Sequence, residues 1–450
     1  MPRNKLFWFN KIGMQNNTYP SPQSFDTLFN ELLSQEVSDE IFQAHGPARR
    51  RPAILSARDL VKAMVFQNLQ ASGTLAQAVE LGVGLNISDA ALSQRRTCME
   101  FEPFYWILES ALKPVADPQE HPEAFYKGWR LLGIDGTQSS VTNTPQIASL
   151  MSKARTRRFE AAFAKVRLCV VVELGLRNPI SAAIGIQGES ENELAKELLK
   201  KLPEDGLLIG DRLFGVRPIL ALLKKWMRQF LVRVKSNMKC RVIEILGDGS
   251  ALVEVETENG KMILREIIGR VKRPDGAWVS VRLWTSLLDW RENGALELLA
   301  LYSRRWEQEV FYRELKVEMR TSPVMRSHTP ETAAQEMAAW VMAHAVLVRA
   351  RMAAARVGKV EVLQISFGKT LALMQPLWQV VQCCRGILTD KQIGEMTERV
   401  LEILAGWVVP ERRKRTCPRA VRQPVSSWPR LVHNSYQTGP TEFEILPAAI

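Results

Sequence analysis

Leu131–Thr137, LLGIDGT, is the stretch on which the reading of this chain turns. Leu131, Leu132, Gly133 and Ile134 form a short apolar run of the kind shown by strands buried on both faces, and it stops abruptly at Asp135. The device returns at Leu207–Gly215, LLIGDRLFG, where the run stops at Asp211. Between the two lie another strand-like run, Val166–Leu174 (VRLCVVVEL), and an amphipathic helical pattern, Glu191–Leu202 (ENELAKELLKKL). Strands alternating with helices predict an α/β layer with a largely buried sheet. Both aspartates then fall at the edge where open α/β sheets place ligands. A carboxylate there is costly unless it is hydrated, paired or metal-bound, although one such aspartate alone reads equally as a helix cap or a turn former.

Toward the C-terminus the period switches to two. FLVRVKSN, CRVIEIL, ALVEVET, KMILREIIG and AWVSVRLW, between Phe230 and Leu288, are separated by turn signals at Gly247-Asp248-Gly249, Asn259-Gly260 and Pro274-Asp275-Gly276. They predict antiparallel hairpins with no helix among them. Arg233, Lys235, Lys239 and Arg241 alternate with apolar residues there and could form a basic face.

Next comes a single predicted helix, Asn293–Arg320 (NGALELLALYSRRWEQEVFYRELKVEMR). At about 100° per residue, Leu301, Phe311, Leu315 and Met319 form an apolar stripe, while Tyr302, Arg305, Glu309 and Lys316 fall within roughly 60° on a second one. Trp306 borders the second stripe. Charged helix faces are ordinarily solvated and laced with i,i+4 pairs. Here the two strand-ending aspartates supply partners for Glu309. Three carboxylates brought together repel and hold their protons unless divalent cations join them. Five scattered histidines and six cysteines without CxxC spacing leave an all-oxygen site, which suits Mg²⁺ or Mn²⁺. Two such ions about 3.5–4 Å apart stabilise the attacking and leaving oxygens of an in-line displacement at phosphorus. The chemistry implied is phosphodiester cleavage or transfer on DNA.

The spacing Tyr302-x2-Arg305-x3-Glu309-x6-Lys316 resembles the YREK signature of the insertion-sequence-four family of bacterial DDE transposases. Asp135 in IDGT and Asp211 in GDRLF resemble that family's two catalytic aspartates, and the β-rich stretch before the glutamate resembles its insertion. The resemblance covers roughly residues 128–350. It implies an α/β fold: an RNase-H-like mixed sheet core interrupted by an antiparallel β insertion, with helical N- and C-terminal regions. It also implies that Asp135, Asp211 and Glu309 bind two Mg²⁺ ions (Mn²⁺ substituting), first for nicking at a transposon end and then for strand transfer by the freed 3′-hydroxyl. Tyr302, Arg305 and Lys316 would grip phosphates, and Trp306 would stack on a base, core packing being its other reading. The implied partner is double-stranded DNA, both transposon ends and target, engaged by a homodimer. An RNase-H-like nuclease or resolvase without strand transfer, and a non-catalytic DNA-binding derivative, are the competing readings.

The remaining segments fill out the domain plan. Residues 1–127 read as a helical, possibly DNA-binding region, followed by core (128–229), insertion (230–290), core completion (291–352), C-terminal helices (353–410) and a basic tail (411–450). Ser56 can cap a helix with Asp59 at the capping-box position. Thr74–Thr97 reads as two short helices about a Gly-containing turn, either a DNA-reading helix-turn-helix ending in Gln94, Arg95 and Arg96 or a plain hairpin. Arg49, Arg50 and Arg51 beside Pro47 and Pro52 suggest a linker. Thr329-Pro330-Glu331 starts a long helix, Glu331–Met352.

The basic segment Lys153–Arg158 (Lys153, Arg155, Arg157, Arg158), Arg212, and the acid-free tail Arg412–Pro440 are candidates for DNA backbone contact, ordinary solvated segments being the alternative for the first and last. The net charge of +12 suits a polyanionic partner. No run approaches 18 uncharged apolar residues and no signal-peptide core is present, so the expectation is a cytoplasmic, nucleoid-associated protein without a membrane span.

Overall fold

The computed structural model describes residues 24–47, 54–70, 73–151, 153–155, 160–257, 260–272, 278–319, 322, 324–409, 420–422, 429–431 and 442–446. Six helices come first: α1 (Phe25–Leu32), α2 (Gln35–His45), α3 (Ala57–Asn68), α4 (Leu75–Val83), α5 (Asp89–Thr97) and α6 (Phe101–Ala111). Ser24, Ser34, Ser56, Thr74 and Ser88 cap the first five, each side-chain oxygen accepting an amide of the first turn. Such a cap contributes about 1 kcal/mol. Ser56 also bonds Asp59, as the sequence suggests. Gly84, left-handed at φ 79°, ends α4 and makes the turn to α5.

The sheet begins with β1 (Phe125–Tyr126) folded back on β2 (Trp129–Val141). Then come α7 (Pro145–Leu150), β3 (Lys153–Arg155), β4 (Glu160–Glu173), β5 (Asn178–Gly185), α8 (Glu191–Leu199), β6 (Gly206–Gly210), α9 (Arg217–Lys225) and β7 (Gln229–Arg233). The core order is β5–β4–β2–β6–β7. Among the first three, β4 runs antiparallel to both of its neighbours, and β6 and β7 run parallel to β2. This is the RNase-H-like mixed sheet that the sequence led us to expect.

Two expectations change. The strand does not stop at Asp135: β2 continues to Val141 against β4, with Asp135 opposite Val170, and only its parallel ladder with β6 ends, at Ile134–Gly210. The apolar run marks where burial on both faces ends, which is not where backbone pairing ends. The run at Phe230, read as the first antiparallel hairpin strand, is β7 and pairs parallel with β6. Alternation reports which face is buried and is silent on strand direction.

The insertion strands β8 (Arg241–Ile245), β9 (Ala251–Thr257), β10 (Gly260–Lys272) and β11 (Trp278–Thr285) form the predicted antiparallel meander. Because β11 pairs with β7, it extends the core sheet.

The predicted helix 293–320 is continuous but has three pitches. It comprises α10 (Ala295–Tyr302), a 3₁₀ turn at Ser303–Arg305, α11 (Trp306–Arg313) and a π turn at Glu314–Glu318. Phe311, Leu315 and Met319 are buried as expected, and Leu301 is half-buried. After the two-residue strand β12 (Val324–Met325), parallel to the far end of β2, α12 runs from Pro330 to Gly358, six residues past the predicted end. The last helices are α13 (Phe367–Cys383) and α14 (Asp390–Gly406).

One apolar core joins α1, α3, α4 and α6 to α12, α13 and one face of β4. A second lies under α8 and α9, and a third under α10. By length and composition α12 could cross a bilayer, yet 89% of its apolar window is buried within the protein. Arg96 at the end of α5 donates to Thr332 O (2.7 Å) and Ser327 Oγ (3.2 Å), and Arg95 donates to Leu55 O (2.6 Å). Arg96 thus fastens the helical region to the core, while Arg95 ties the end of α5 to the segment just before α3.

In the basic tail, β13 (Ala420–Arg422) pairs with β14 (Pro429–Leu431), and β15 (Glu442–Ile445) adds to β10. Arg49–Arg51, Arg157, Arg158, the Pro274–Gly276 turn and Arg412–Arg419 lie outside the described residues.

Candidate active site

Strand register builds the centre of the site. Parallel pairing of Ile134 with Gly210 makes Asp135 and Asp211 the next residues on neighbouring strands, just where the ladder opens. Side chains alternate along a strand, so Asp135 lies on the face of Val170 and Val172, over which α11 and α12 pack. Ile134 and Val171 face α8 and α9 instead. The opening therefore receives groups from both sides of the sheet.

Helix α11 is fastened to this spot by two buried residues. Tyr312 donates its hydroxyl to the Asp135 carbonyl at 2.5 Å, and Gln308 donates to the carbonyl of Val170, the residue opposite Asp135, at 3.3 Å. Glu309 lies between them in sequence but points elsewhere: Arg305, one turn earlier, holds its carboxylate at 2.5 Å. Arg305 also faces Asp135 and Tyr302. Tyr302 in turn faces Asp211 and Arg233. The structure thus gathers Asp135, Asp211, Tyr302, Arg305 and Glu309 at one edge.

Electrostatics mark the edge as incomplete. Burial, with Glu191 and Asp211 adding to it, pushes the Asp135 carboxyl up to about 7 against the pull of the Gly136 amide and Arg305. Burial likewise raises Glu191, with Asp211 adding to it. Tyr302 is pushed up to about 12 by burial despite Arg305 and Arg233. Arg305 is raised because its contacts with Glu309, Tyr302 and Asp135 outweigh the opposing effect of burial. Asp211 accepts the Leu213 amide at 2.7 Å, the start of the turn leading to α9.

Trp306 is 48% exposed, which removes the core-packing reading. Lys316 is half-buried within the π turn, so its direction differs from a uniform helical count. π turns of this kind recur at functional sites. Arg212 is exposed beside Asp211. Lys153 and Arg155 lie in β3, a short strand at the start of the basic segment. Lys235 and Lys239 line an open cavity of about 470 Å³ with Arg217, on the side of the Asp211 turn.

Among the described residues no three carboxylate, imidazole or thiol groups stand within ligating reach of a common point. The donor chemistry nevertheless fits a hard divalent cation, since the converging groups are carboxylates. A Cβ built on Gly136 would lie 2.2 Å from the Glu191 Cδ, so this glycine leaves room for a carboxylate beside Asp135. Sequence reasoning missed Glu191, Gln308 and Tyr312. Ser190 and Glu193 signal where α8 begins, which could have drawn attention to Glu191. Nothing in the sequence indicates which strand Gln308 and Tyr312 meet.

The family model described as "Transposase DDE domain" matches residues 130–346, from the start of β2 into α12, and so takes in Asp135, Asp211 and Glu309. The chain is similar to "Transposase InsG for insertion sequence element IS4" of Escherichia coli K12, with 26% identity over 428 residues covering 90% of this chain and 94% of that protein. It is also similar to "Putative transposase InsZ" of the same organism, with 24% identity over 260 residues covering 54% and 85%. Among solved structures, the cryo-EM piggyBac transposase synaptic complex with hairpin DNA aligns over 84% of this chain and 85% of that one, with a TM-score of 0.45 and 10% identity.

Proposed function

We propose that this chain, which belongs to the DDE transposases of the insertion-sequence-four type, binds the terminal inverted repeats of its own insertion sequence. There it catalyses Mg²⁺-dependent strand cleavage followed by strand transfer. The observation that carries the proposal is the parallel register that sets Asp135 beside Asp211 under the helix bearing Glu309.

Asp135, Asp211 and Glu309 are assigned as the carboxylates that hold two Mg²⁺ ions, Mn²⁺ substituting. Bound ions supply Lewis-acid stabilisation to the attacking and leaving oxygens of the phosphodiester. The protein's own residues prepare this. Asp135 gives up the proton that burial lets it keep near neutrality. Glu309 leaves Arg305 to join the aspartates. Arg305, once released, can take a DNA phosphate with its planar fork, so the ion pair acts as a placeholder that an incoming phosphate competes away.

Tyr302 and Lys316 are assigned to phosphates and Trp306 to stacking on an unpaired base. The backbone contacts are assigned to Lys153, Arg155, Arg157, Arg158 and Arg212, with a steep salt dependence. The working form is a homodimer bridging two ends, in the cytoplasm and away from membranes.

The test uses a duplex carrying the inverted repeat that flanks the reading frame. Mg²⁺-dependent nicking at the repeat boundary, and joining of the new 3′ end to a second duplex, are expected. Cleavage without joining, or cleavage unrelated to the repeat, overturns the transposase reading in favour of a nuclease.

A further inference from the structure

The groups at the sheet edge are not accounted for by the three carboxylates of the proposed mechanism. Glu191 is the first residue of α8, which packs on the sheet face opposite α11. Its position is not needed to cap the helix, because Ser190 and Glu193 already form a reciprocal capping box, with the Ser190 amide donating to Glu193 at 2.7 Å.

Glu191 instead turns across to the backbone beside Asp135. A Cβ at Gly136 would meet its Cδ at 2.2 Å, its Cγ at 2.4 Å and its Oε1 at 2.6 Å, so the carboxylate fills the space that any other residue at 136 would occupy. The nearby cation, Arg167, already donates to the carbonyls of Gly188 (3.1 Å) and Glu189 (2.5 Å). A half-buried carboxylate is thus held against two others without a dedicated positive partner. That arrangement is unfavourable unless a cation is shared among them.

We propose that Glu191 is a fourth carboxylate of the metal site, reaching over the sheet edge from α8 to hold the divalent ion with Asp135 and Asp211 before DNA arrives and while Glu309 is paired with Arg305. Two helices on opposite faces then serve one ion site in succession. Glu191 loads the first ion into free protein, and Glu309 completes the site once a phosphate has taken Arg305. The asymmetry is geometric: Glu191 touches the residue after Asp135, whereas Glu309 is turned back along its own helix.

The proposal rests on the reading of this edge as a divalent-metal site, and its test needs neither DNA nor turnover. Mn²⁺ binding to the full chain is measured by electron paramagnetic resonance without nucleic acid. Glu191→Gln is expected to weaken Mn²⁺ binding by about tenfold or more, the scale of losing a group that ligates or orients a ligand. Gly136→Ala is expected to weaken it as well, because its new methyl displaces the same carboxylate while every ionisable group is retained.

The proposal is overturned if Glu191→Gln and Gly136→Ala, shown by thermal melting to be folded, titrate like the parent. It is also overturned if the parent takes up no Mn²⁺ without DNA. Failure of the transposase reading looks different: Glu191-dependent Mn²⁺ uptake with no cleavage of the element's ends.

Discussion

Helix α11 separates two acidic regions that differ in one respect. On its sheet-edge side, Asp135, Asp211 and Glu191 face one another with Arg305 as the cation nearest Asp135, whose carboxyl burial pushes up to about 7. On its inner side, Glu314 is fully buried at the start of the π turn, and its carboxyl is held at about 2. Burial alone would raise Glu314. A hydrogen bond from His344 Nε2 (3.0 Å) and the guanidiniums of Arg351 (3.5 Å) and Arg177 (2.6 Å) outweigh it.

Arg177, in a left-handed turn at φ 56°, also grips Glu307 at 2.5 Å and so clamps α11 from the strand β4–β5 connection. The inner cluster brings its own cations and is electrically complete. At the edge, Arg305 and Arg167 do not offset burial and carboxylate repulsion, and it is the region that calls for a cation from outside. A buried, charge-balanced anchor a turn away lets the open edge keep its shape without its ions.

The comparison breaks most visibly through the edge carboxylates. Asp135→Asn, Asp211→Asn and Glu309→Gln should each lower end cleavage by about a thousandfold or more in a gel assay, with folding intact. Wild-type cleavage by any of the three would remove that residue from the metal site.

The inner cluster should respond in stability. Glu314→Gln leaves Arg177 and Arg351 buried without their shared anion, and should cost about 3–5 kcal/mol in denaturant unfolding. A loss below about 1 kcal/mol would mean that the cluster is not the anchor described here.

The two regions should also separate by pH. Asp135 has a raised folded value, about 7 against 3.8. It therefore costs nothing below 3.8, and its penalty grows with pH until it is complete above about 7. Glu314 has a depressed folded value, about 2 against 4.5, so its contribution is whole above 4.5 and is lost as pH falls through about 2. Without metal, Asp135→Asn should raise the melting temperature at pH 8 and leave it nearly unchanged at pH 4. An equal shift at both would deny the raised value.

The smallest expected effect is that of Trp306→Ala. It should leave stability within about 0.5 kcal/mol, as exposed substitutions do. End cleavage or joining should still fall by about tenfold, the worth of one stacked base. Unchanged rates for both steps would leave this exposed indole without a role on DNA.

Much of this arrangement was legible in order of local pattern. Serine and threonine caps, the two apolar runs ending in aspartate, the period-two hairpins and the Tyr302–Lys316 spacing all depend on residues near one another in the chain. Local sterics and periodic burial fix such features without reference to the rest of the fold. The sequence by itself therefore determined most element types and singled out the candidate site residues, while the mixed core with its insertion was legible only through the family resemblance.

Only the tertiary structure decided how those elements meet. Register set Asp135 against Asp211 although β2 runs on past Asp135. Strand direction put β7 in the parallel core. Packing turned Arg95 and Arg96 into fasteners, changed the helix pitch around Arg305 and Lys316, and paired Arg305 with Glu309. It also brought Glu191 over the edge from the opposite face. The physical reason is the same in each case: such contacts join residues far apart in sequence, and their energies depend on distance and burial, which no local window of sequence contains.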